Sequence, residues 1–239
     1  MTATLLFRDD AYLMSCEAVV TGINDKGGIL LDQTVCYATA GGQPGDKARI
    51  LWDGNATSIA TTVYDEVKDV VHVPDAGQSL PPTGAKVILE LDWTNRYRNM
   101  RAHTLMHLLC ASVPFPVTGG AINEDGGRID FDIPEGQIPD KTELTATLNR
   151  LVAEDHPVTF RWITDEEMAA NQHLIRTMSV KPPMGTGRVR LVMIGEDGKV
   201  DLQPCGGTHL KSTGAIGPVA VAKIENKGKI NRRIRVVFQ

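Results

Sequence analysis

Two separated pairs of residues in this 239-residue chain carry side chains that bind metals. The first is His103 and His107, in RAHTLMHLLC at 101–110. On a helix, positions four apart point to the same side, about 40° apart around the axis, so both imidazoles can reach one ion. The second is Cys205 and His209, in DLQPCGGTHLKSTG at 201–214. Pro204, Gly206 and Gly207 disfavour a helix there, which reads as a Gly-rich loop after a strand. A cysteine thiolate and neutral imidazoles suit zinc, and two pairs supply the four ligands of a tetrahedral site. The rival reading is bland: core histidines satisfied by hydrogen bonds, a buried thiol and a loop histidine. Either pair alone is a weak signal; together they favour zinc. No glutamate stands beside His103, so the HExxH arrangement with its built-in base is absent. No Asp or Glu directly adjoins either motif as an obvious base, and the general base is left unassigned.

The remaining candidates are weaker. Cys110 follows His107 by three residues but lies ~10 Å along the axis from His103, so it reads as core. His72, His156 and His173 have no partner at ligand spacing and read as structural. The four cysteines, Cys16, Cys36, Cys110 and Cys205, are scattered and form no CxxC, which argues against a disulfide framework and for a reducing cytoplasm. A further motif is LLDQTVCYATAGGQPGD at 30–46. Gly41 and Gly42 permit a positive-φ turn or a close backbone approach. Gln43 presents an amide that both donates and accepts, and Pro44-Gly45-Asp46 closes as a turn. A plain hairpin connection accounts for the same residues.

These residues need elements to hold them. Residues 1–90 are β-rich: CEAVVTGIN, GGILLDQTV, KARILW, ATSIATTVYDEV, DVVHVP and AKVILELD are short Val/Ile/Thr-rich runs separated by turn signals. That spacing predicts a small antiparallel barrel or sandwich. A helix is expected from about Asp92 or Thr94, its caps, to Pro114, carrying the histidine pair. A second is expected over KTELTATLNRLVAED, with Asp140 as N-cap and Glu143 at the capping-box position, and a shorter third over TDEEMAANQHL. Strands are expected at GGRIDFDI, PVTFRWIT, GRVRLVMIG, KVDLQ and twice at the C-terminus. The class is α+β, with a barrel-like domain over 1–91 and a two-layer α/β domain over 92–239.

Charge narrows the partners. A net charge of −4 excludes a protein that coats nucleic acid generally, so any such contact needs a local patch. The C-terminal segment is one candidate, with Lys223, Lys227, Lys229, Arg232, Arg233 and Arg235 against Glu225. In a hairpin alternate residues share a face, so only some of these can meet phosphate together. Arg96, Arg98 and Arg101 add a second group ahead of the histidine pair. No run approaches the ~18 apolar residues of a membrane span, and the N-terminus lacks a signal-peptide pattern.

Taken together, HTLMH, CGGTH and GGQPGD resemble the editing module of alanyl-tRNA synthetases and its free-standing relatives, the AlaX proteins. HxxxH with CxxxH is shared with the editing domain of threonyl-tRNA synthetase, and the GGQxxD segment favours the alanyl branch. The resemblance covers nearly the whole chain and fits the medium-length, two-domain type, with no room for an aminoacylation domain. It implies zinc on His103, His107, Cys205 and His209. It also implies a pocket in which Thr34 meets the serine hydroxyl and Gln43, with Gly42, Gly206 and Gly207, lies beside the aminoacyl group. Cys36 departs from the pattern, standing where the family often has an aromatic, and is expected to alter packing rather than chemistry.

The implied activity is trans-editing: hydrolysis of the ester of Ser-tRNA(Ala), and potentially Gly-tRNA(Ala), sparing Ala-tRNA(Ala). An alanine pocket admits a methyl group, so it rejects an added hydroxyl only by ~10² and cannot sterically exclude glycine. The implied partner is the acceptor end of a mischarged tRNA, held by Arg96, Arg98, Arg101, Lys229, Arg232 and Arg233. No obligate protein partner is expected. Three alternatives stay open: a sister substrate such as Ser-tRNA(Thr), a non-enzymatic RNA-binding module with structural zinc, and a zinc hydrolase of small metabolites.

Overall fold

The computed structural model describes residues 3–175 and 187–239. The first unit opens with β1 (Thr4–Leu5), β2 (Ser15–Ile23), β3 (Ile29–Leu31) and β4 (Gln33–Thr34). It continues with β5 (Ala48–Trp52), β6 (Asn55–Tyr64), β7 (Val70–Pro74) and β8 (Lys86–Leu91). Six of these close a barrel in the order β2-β3-β7-β6-β5-β8, and every neighbouring pair is antiparallel. The expected small antiparallel barrel is therefore present. Closure leaves no unpaired edge, which a short-stranded sheet of this size would otherwise have to protect. The alternation of β8 shows how the sequence fills it: Val87, Leu89 and Leu91 turn inward against Ala18, Val20, Ile29, Leu31 and Ile50. Outside the closed ring, β1 pairs in parallel with β4 and so fixes Thr34 beside the core.

The helix α1 (Trp93–Ser112) follows. Asp92 is its cap, its Oδ1 accepting from the Asn95 N–H at 3.0 Å. The compact units, Met1–Asn99 and Met100–Gln239, divide within α1.

The second unit contains β9 (Val117–Asn123), β10 (Gly126–Asp132), α2 (Lys141–Ala153), β11 (Val158–Thr164), α3 (Asp165–Ala170), β12 (Arg188–Ile194), β13 (Asp201–Pro204), β14 (Val219–Asn226) and β15 (Asn231–Phe238). They form a four-stranded sheet, β14-β15-β10-β9, and a three-stranded sheet, β11-β12-β13. Met100, Leu105, Leu108 and Leu109 of α1 are fully buried. Gly127 of β10 is required by this packing, since a Cβ there would stand 2.9 Å from the Met106 sulfur. On β14, α2 is stitched down by Asn149, whose side chain bonds both the N–H and the C=O of Val219. Asp140 caps α2 as the sequence predicts, and α3 carries a full capping box between Thr164 and Glu167. In this unit the strand that sequence reading omits is β9, whose Gly119-Gly120 weakens the β signature.

Candidate metal centre

His103 and His107 project from the middle of α1, and Cys205 and His209 from the loop that leaves β13. The four side chains converge, and their candidate ligand atoms all lie within 4.8 Å of one another. The Cys205 Sγ stands 3.5 Å from His103 Nε2 and 3.3 Å from His209 Nε2. A tetrahedral site with metal–sulfur and metal–nitrogen bonds of ~2.3 and ~2.0 Å has an S···N edge of about 3.5 Å, so the donor set fits a four-coordinate zinc-like ion. Cys110 is buried elsewhere on α1 and does not join the cluster.

The four side chains are held from behind. His107 Nδ1 donates to Asp201 Oδ2 at 2.7 Å, which fixes its tautomer and leaves Nε2 facing the cluster. The Gln203 amide donates to the same carboxylate oxygen at 2.8 Å. His209 Nδ1 pairs with Thr104 Oγ1 at 3.4 Å, and that hydroxyl also accepts from the Leu210 N–H. Arg190 Nη1 donates to the carbonyls of Cys205 and Gly207, at 3.2 and 2.9 Å, and clamps the CGGTH loop. Gly207 N–H in turn points at the Cys205 sulfur. Gly206 has nothing within 4 Å of where a Cβ would sit, so the loop leaves open space there.

Sequence reading names the four residues that the structure brings together, but not Asp201, Gln203, Thr104 or Arg190. The signal for the first two is parity: residues 201 and 203 share one face of the strand that leads into Cys205, which makes Asp201 a neighbour of the motif although three residues separate it from Cys205. The expectation that no acid adjoins the motifs is corrected accordingly. Asp201 is buried and acts through His107, and its Oδ1 has no hydrogen-bond partner.

The cluster is electrostatically tense. Burial lifts the Cys205 thiol, but His103 and His209 outweigh that and carry it well below its ordinary value, toward thiolate. Burial pulls His107 down, and the Asp201 hydrogen bond together with the Cys205 sulfur reverses this, to about 10. Burial, then His103, holds His209 well below the usual imidazole range. A thiolate, a carboxylate and inward-facing imidazole nitrogens thus concentrate negative charge and lone pairs in one small volume, the environment that favours a divalent cation.

The GGQPGD segment is built around a second buried group in the first unit. Gly41 and Gly42 take φ of +54° and +83°, and a Cβ at Gly45 would collide with the Thr62 carbonyl. Asp46 accepts from the Tyr37 N–H and from Arg96, whose Nη2 also donates to Val35 O. Arg96 Nη1 reaches Ala11 O. Gln43 is 1% exposed. Thr34 is fully buried, and its Oγ1 lies 2.9 Å from His72 Nε2. His72 Nδ1 faces the Ile29 carbonyl, which can only accept, so Nδ1 carries the proton. Burial holds this imidazole down at about 4 and therefore neutral. The Thr34 hydroxyl consequently donates to His72 while accepting from the Cys36 N–H. His72 is structural, as its isolation in the sequence implies. The side chain of His173 lies outside the described residues.

The expected phosphate-binding cations separate into three groups. Arg96 and Arg232 are buried, and this corrects their assignment: Arg96 is paired with Asp46, and Arg232 donates to Gly228 O, Lys229 O and Asn231 O inside the hairpin turn. Arg101 bonds Ile216 O and lies over Phe238, while Arg233 is locked to Asp130 through two bonds of 2.7 Å. Arg98 and Lys229 are exposed. Among the described residues, no helix is long and apolar enough to cross a membrane.

Known proteins are similar to this chain over nearly its whole length. Residues 189–235, which contain the CGGTH loop, match the family model described as the threonyl and alanyl tRNA synthetase second additional domain. The chain is 35% identical to the alanine–tRNA ligase of Pyrobaculum arsenaticum over 92% of its own length but only 25% of that enzyme's. It is 29% identical to the alanyl-tRNA editing protein AlaX-L of Pyrococcus horikoshii, spanning 94% of this chain and 55% of that one. It is 30% identical to the alanyl-tRNA editing protein AlaX-M of Methanosarcina acetivorans over 98% of both chains. That end-to-end match settles descent: the protein belongs to the AlaX family of alanyl-tRNA editing proteins.

Proposed function

We propose that this protein is a cytoplasmic deacylase that hydrolyses the ester of mischarged Ser-tRNA(Ala) and spares Ala-tRNA(Ala), with zinc on His103, His107, Cys205 and His209. The convergence of the four ligand atoms within 4.8 Å, with His107 already oriented by Asp201, is the observation that carries the metal reading. The names of its relatives, alanyl-tRNA editing proteins, carry the substrate class. Zinc bound there supplies a fixed positive charge beside the aminoacyl ester. The chain's own residues do the rest. Gly206 borders the space that the loop leaves open, and Arg190 keeps the carbonyls of Cys205 and Gly207 on either side of it in place. Arg98 and Lys229, exposed, are the cations of the original set best placed for phosphate.

Discrimination falls to Thr34, with Gln43 and Gly42 in the same segment. With its proton committed to His72, the Thr34 hydroxyl can meet any further group only as an acceptor. It therefore suits a substrate group that donates, such as the serine hydroxyl, and an alanine methyl leaves it unpaired. No residue is assigned as general base, because Asp201 is engaged with His107.

The test is deacylation of Ser-, Gly- and Ala-tRNA(Ala), and of Ser-tRNA(Thr), by zinc-loaded wild type and Cys205→Ala. Rapid loss of serine from tRNA(Ala), survival of Ala-tRNA(Ala) and an inactive variant are expected. Equal rates on the seryl and alanyl esters, or preference for Ser-tRNA(Thr), overturn the substrate assignment. RNA binding without hydrolysis makes the protein a binding module instead.

A further inference from the structure

The face of the three-stranded sheet that supports the metal ligands continues past them. Trp162 on β11 pairs with Arg190 on β12, and the Cys205 N–H donates to the Arg190 carbonyl at 3.0 Å. Trp162, Arg190 and Cys205 therefore stand in one row across β11, β12 and the residue that follows β13. By alternation Phe160 and Arg188 share their face, as do Asp201 and Gln203. Two strand spacings, about 10 Å, separate Trp162 from the ligand Cys205. That is of the order of the distance from the ester on a nucleotide's ribose to its own base and the next.

We propose that Trp162 and Phe160 form a stacking platform for the unpaired 3′-terminal nucleotides of the RNA whose ester reaches the metal centre. This rests on the deacylase reading above. Each ring is backed by a guanidinium: Arg188 lies 4.3 Å over Trp162, and Arg190 lies 4.4 Å over Phe160. β11 is an edge strand, and Phe160 is 38% exposed there. Strands β11 and β12 carry Arg161, Arg188 and Arg190 and no acidic residue, in a chain whose net charge is −4. An exposed and a half-buried aromatic side by side, each with a guanidinium over its ring, match single-stranded nucleic acid, whose bases stack on rings and whose phosphates seek guanidinium groups. On the face of the two rings the exposed cation is Arg188, since Arg161 alternates to the other face and Arg190 is buried on the CGGTH loop. Arg190 links the two sites directly, since it holds both the CGGTH loop and the Phe160 ring.

The experiment uses the full-length zinc-loaded protein and Trp162→Ala, Phe160→Ala and Trp162→Phe. Anisotropy measures binding of a labelled single-stranded RNA ending in CCA and of the same RNA lacking those three nucleotides. Metal content reports on the integrity of the ligand cluster. Trp162→Ala should weaken binding of the CCA-ending RNA roughly 5- to 150-fold, the range spanned by one base–aromatic stack. It should raise KM for Ser-tRNA(Ala) with one metal still bound, and Trp162→Phe should restore most of the loss. Unchanged affinity and KM in Trp162→Ala overturn the platform, as does equal binding of the two RNAs by wild type. The two readings fail separately. Hydrolysis by wild type with no effect of Trp162→Ala removes the platform alone. CCA-dependent, Trp162-dependent binding without hydrolysis removes the deacylase alone.

Discussion

Each of the two units buries a polar cluster, and the two clusters are finished differently. In the first unit, Arg96 and Asp46 lie fully buried and bond to each other and to the backbone of Ala11, Val35 and Tyr37. Opposite charges meet, donors meet acceptors, and the network closes on itself. In the second unit, three imidazoles and a thiol turn their ligand atoms toward one point, while Asp201, Gln203 and Thr104 hold them from behind. Nothing in the cluster has the charge to satisfy them all. Burial and chemistry-bearing residue types are common to both. What separates a structural network from a ligand site is whether the donors and acceptors are spent on one another or aimed at a shared position.

That contrast can be broken at several points. The largest effect should come from Arg96→Ala. Removing the cation strands Asp46 in the interior, and loss of one partner of a buried pair costs ~3–5 kcal/mol. Denaturant unfolding should show this loss with or without zinc. A loss below ~1 kcal/mol would mean the pair is not the anchor of the GGQPGD segment.

Acid provides the second test. His72 is neutral and held at about 4 by burial, against an ordinary 6.5. As pH falls, the unfolded chain takes up this proton first. The contribution of His72 is therefore intact above pH 6.5 and lost between 6.5 and 4, by roughly 3 kcal/mol. Stability followed across that window should fall more steeply in wild type than in His72→Gln; parallel curves would show that His72 is not the group responsible.

The third effect is smaller and specific to the metal. Asp201→Asn keeps a group of the same shape behind His107 but removes its charge, and loss of such a partner typically weakens metal binding by 10–100-fold. Competition with a chelator measures this directly, and wild-type affinity in the variant would make Asp201 a packing residue only. The smallest structural effect should come from Gly206→Ala. Its Cβ enters open space at an ordinary φ, so stability should change by no more than ~0.5 kcal/mol, while deacylation falls if that space holds substrate. Full activity would place the substrate elsewhere.

Much of the closed-versus-open distinction was hidden from the sequence, and the reasons are physical. The barrel was legible because its strands alternate cleanly, and the ligands because their residue types and spacings are rare together. Which arginines are buried was not. Arg96 reads as one of three surface cations, yet it lies on the helical stripe of Met100, His103 and His107, four, seven and eleven residues on, and that phase marks it as inward. Arg232 carries the same signal in a strand, in step with buried Ile234 and Val236, whereas Arg233 and Arg235 alternate outward. Asp201 does not adjoin either motif along the chain, while a strand makes neighbours of every second residue. The Thr34–His72 bond joins residues 38 apart and depends on barrel closure, which no local pattern encodes.

The central claim is that the four converging residues form a metal centre. Its most direct test is titration of the metal-free protein with Co²⁺, followed by displacement with Zn²⁺. The account predicts saturation at one equivalent, a thiolate-to-metal charge-transfer band with tetrahedral visible absorption, complete displacement by one equivalent of zinc, and loss of the band in Cys205→Ala. Absence of that band in wild type, or its persistence in Cys205→Ala, would contradict it.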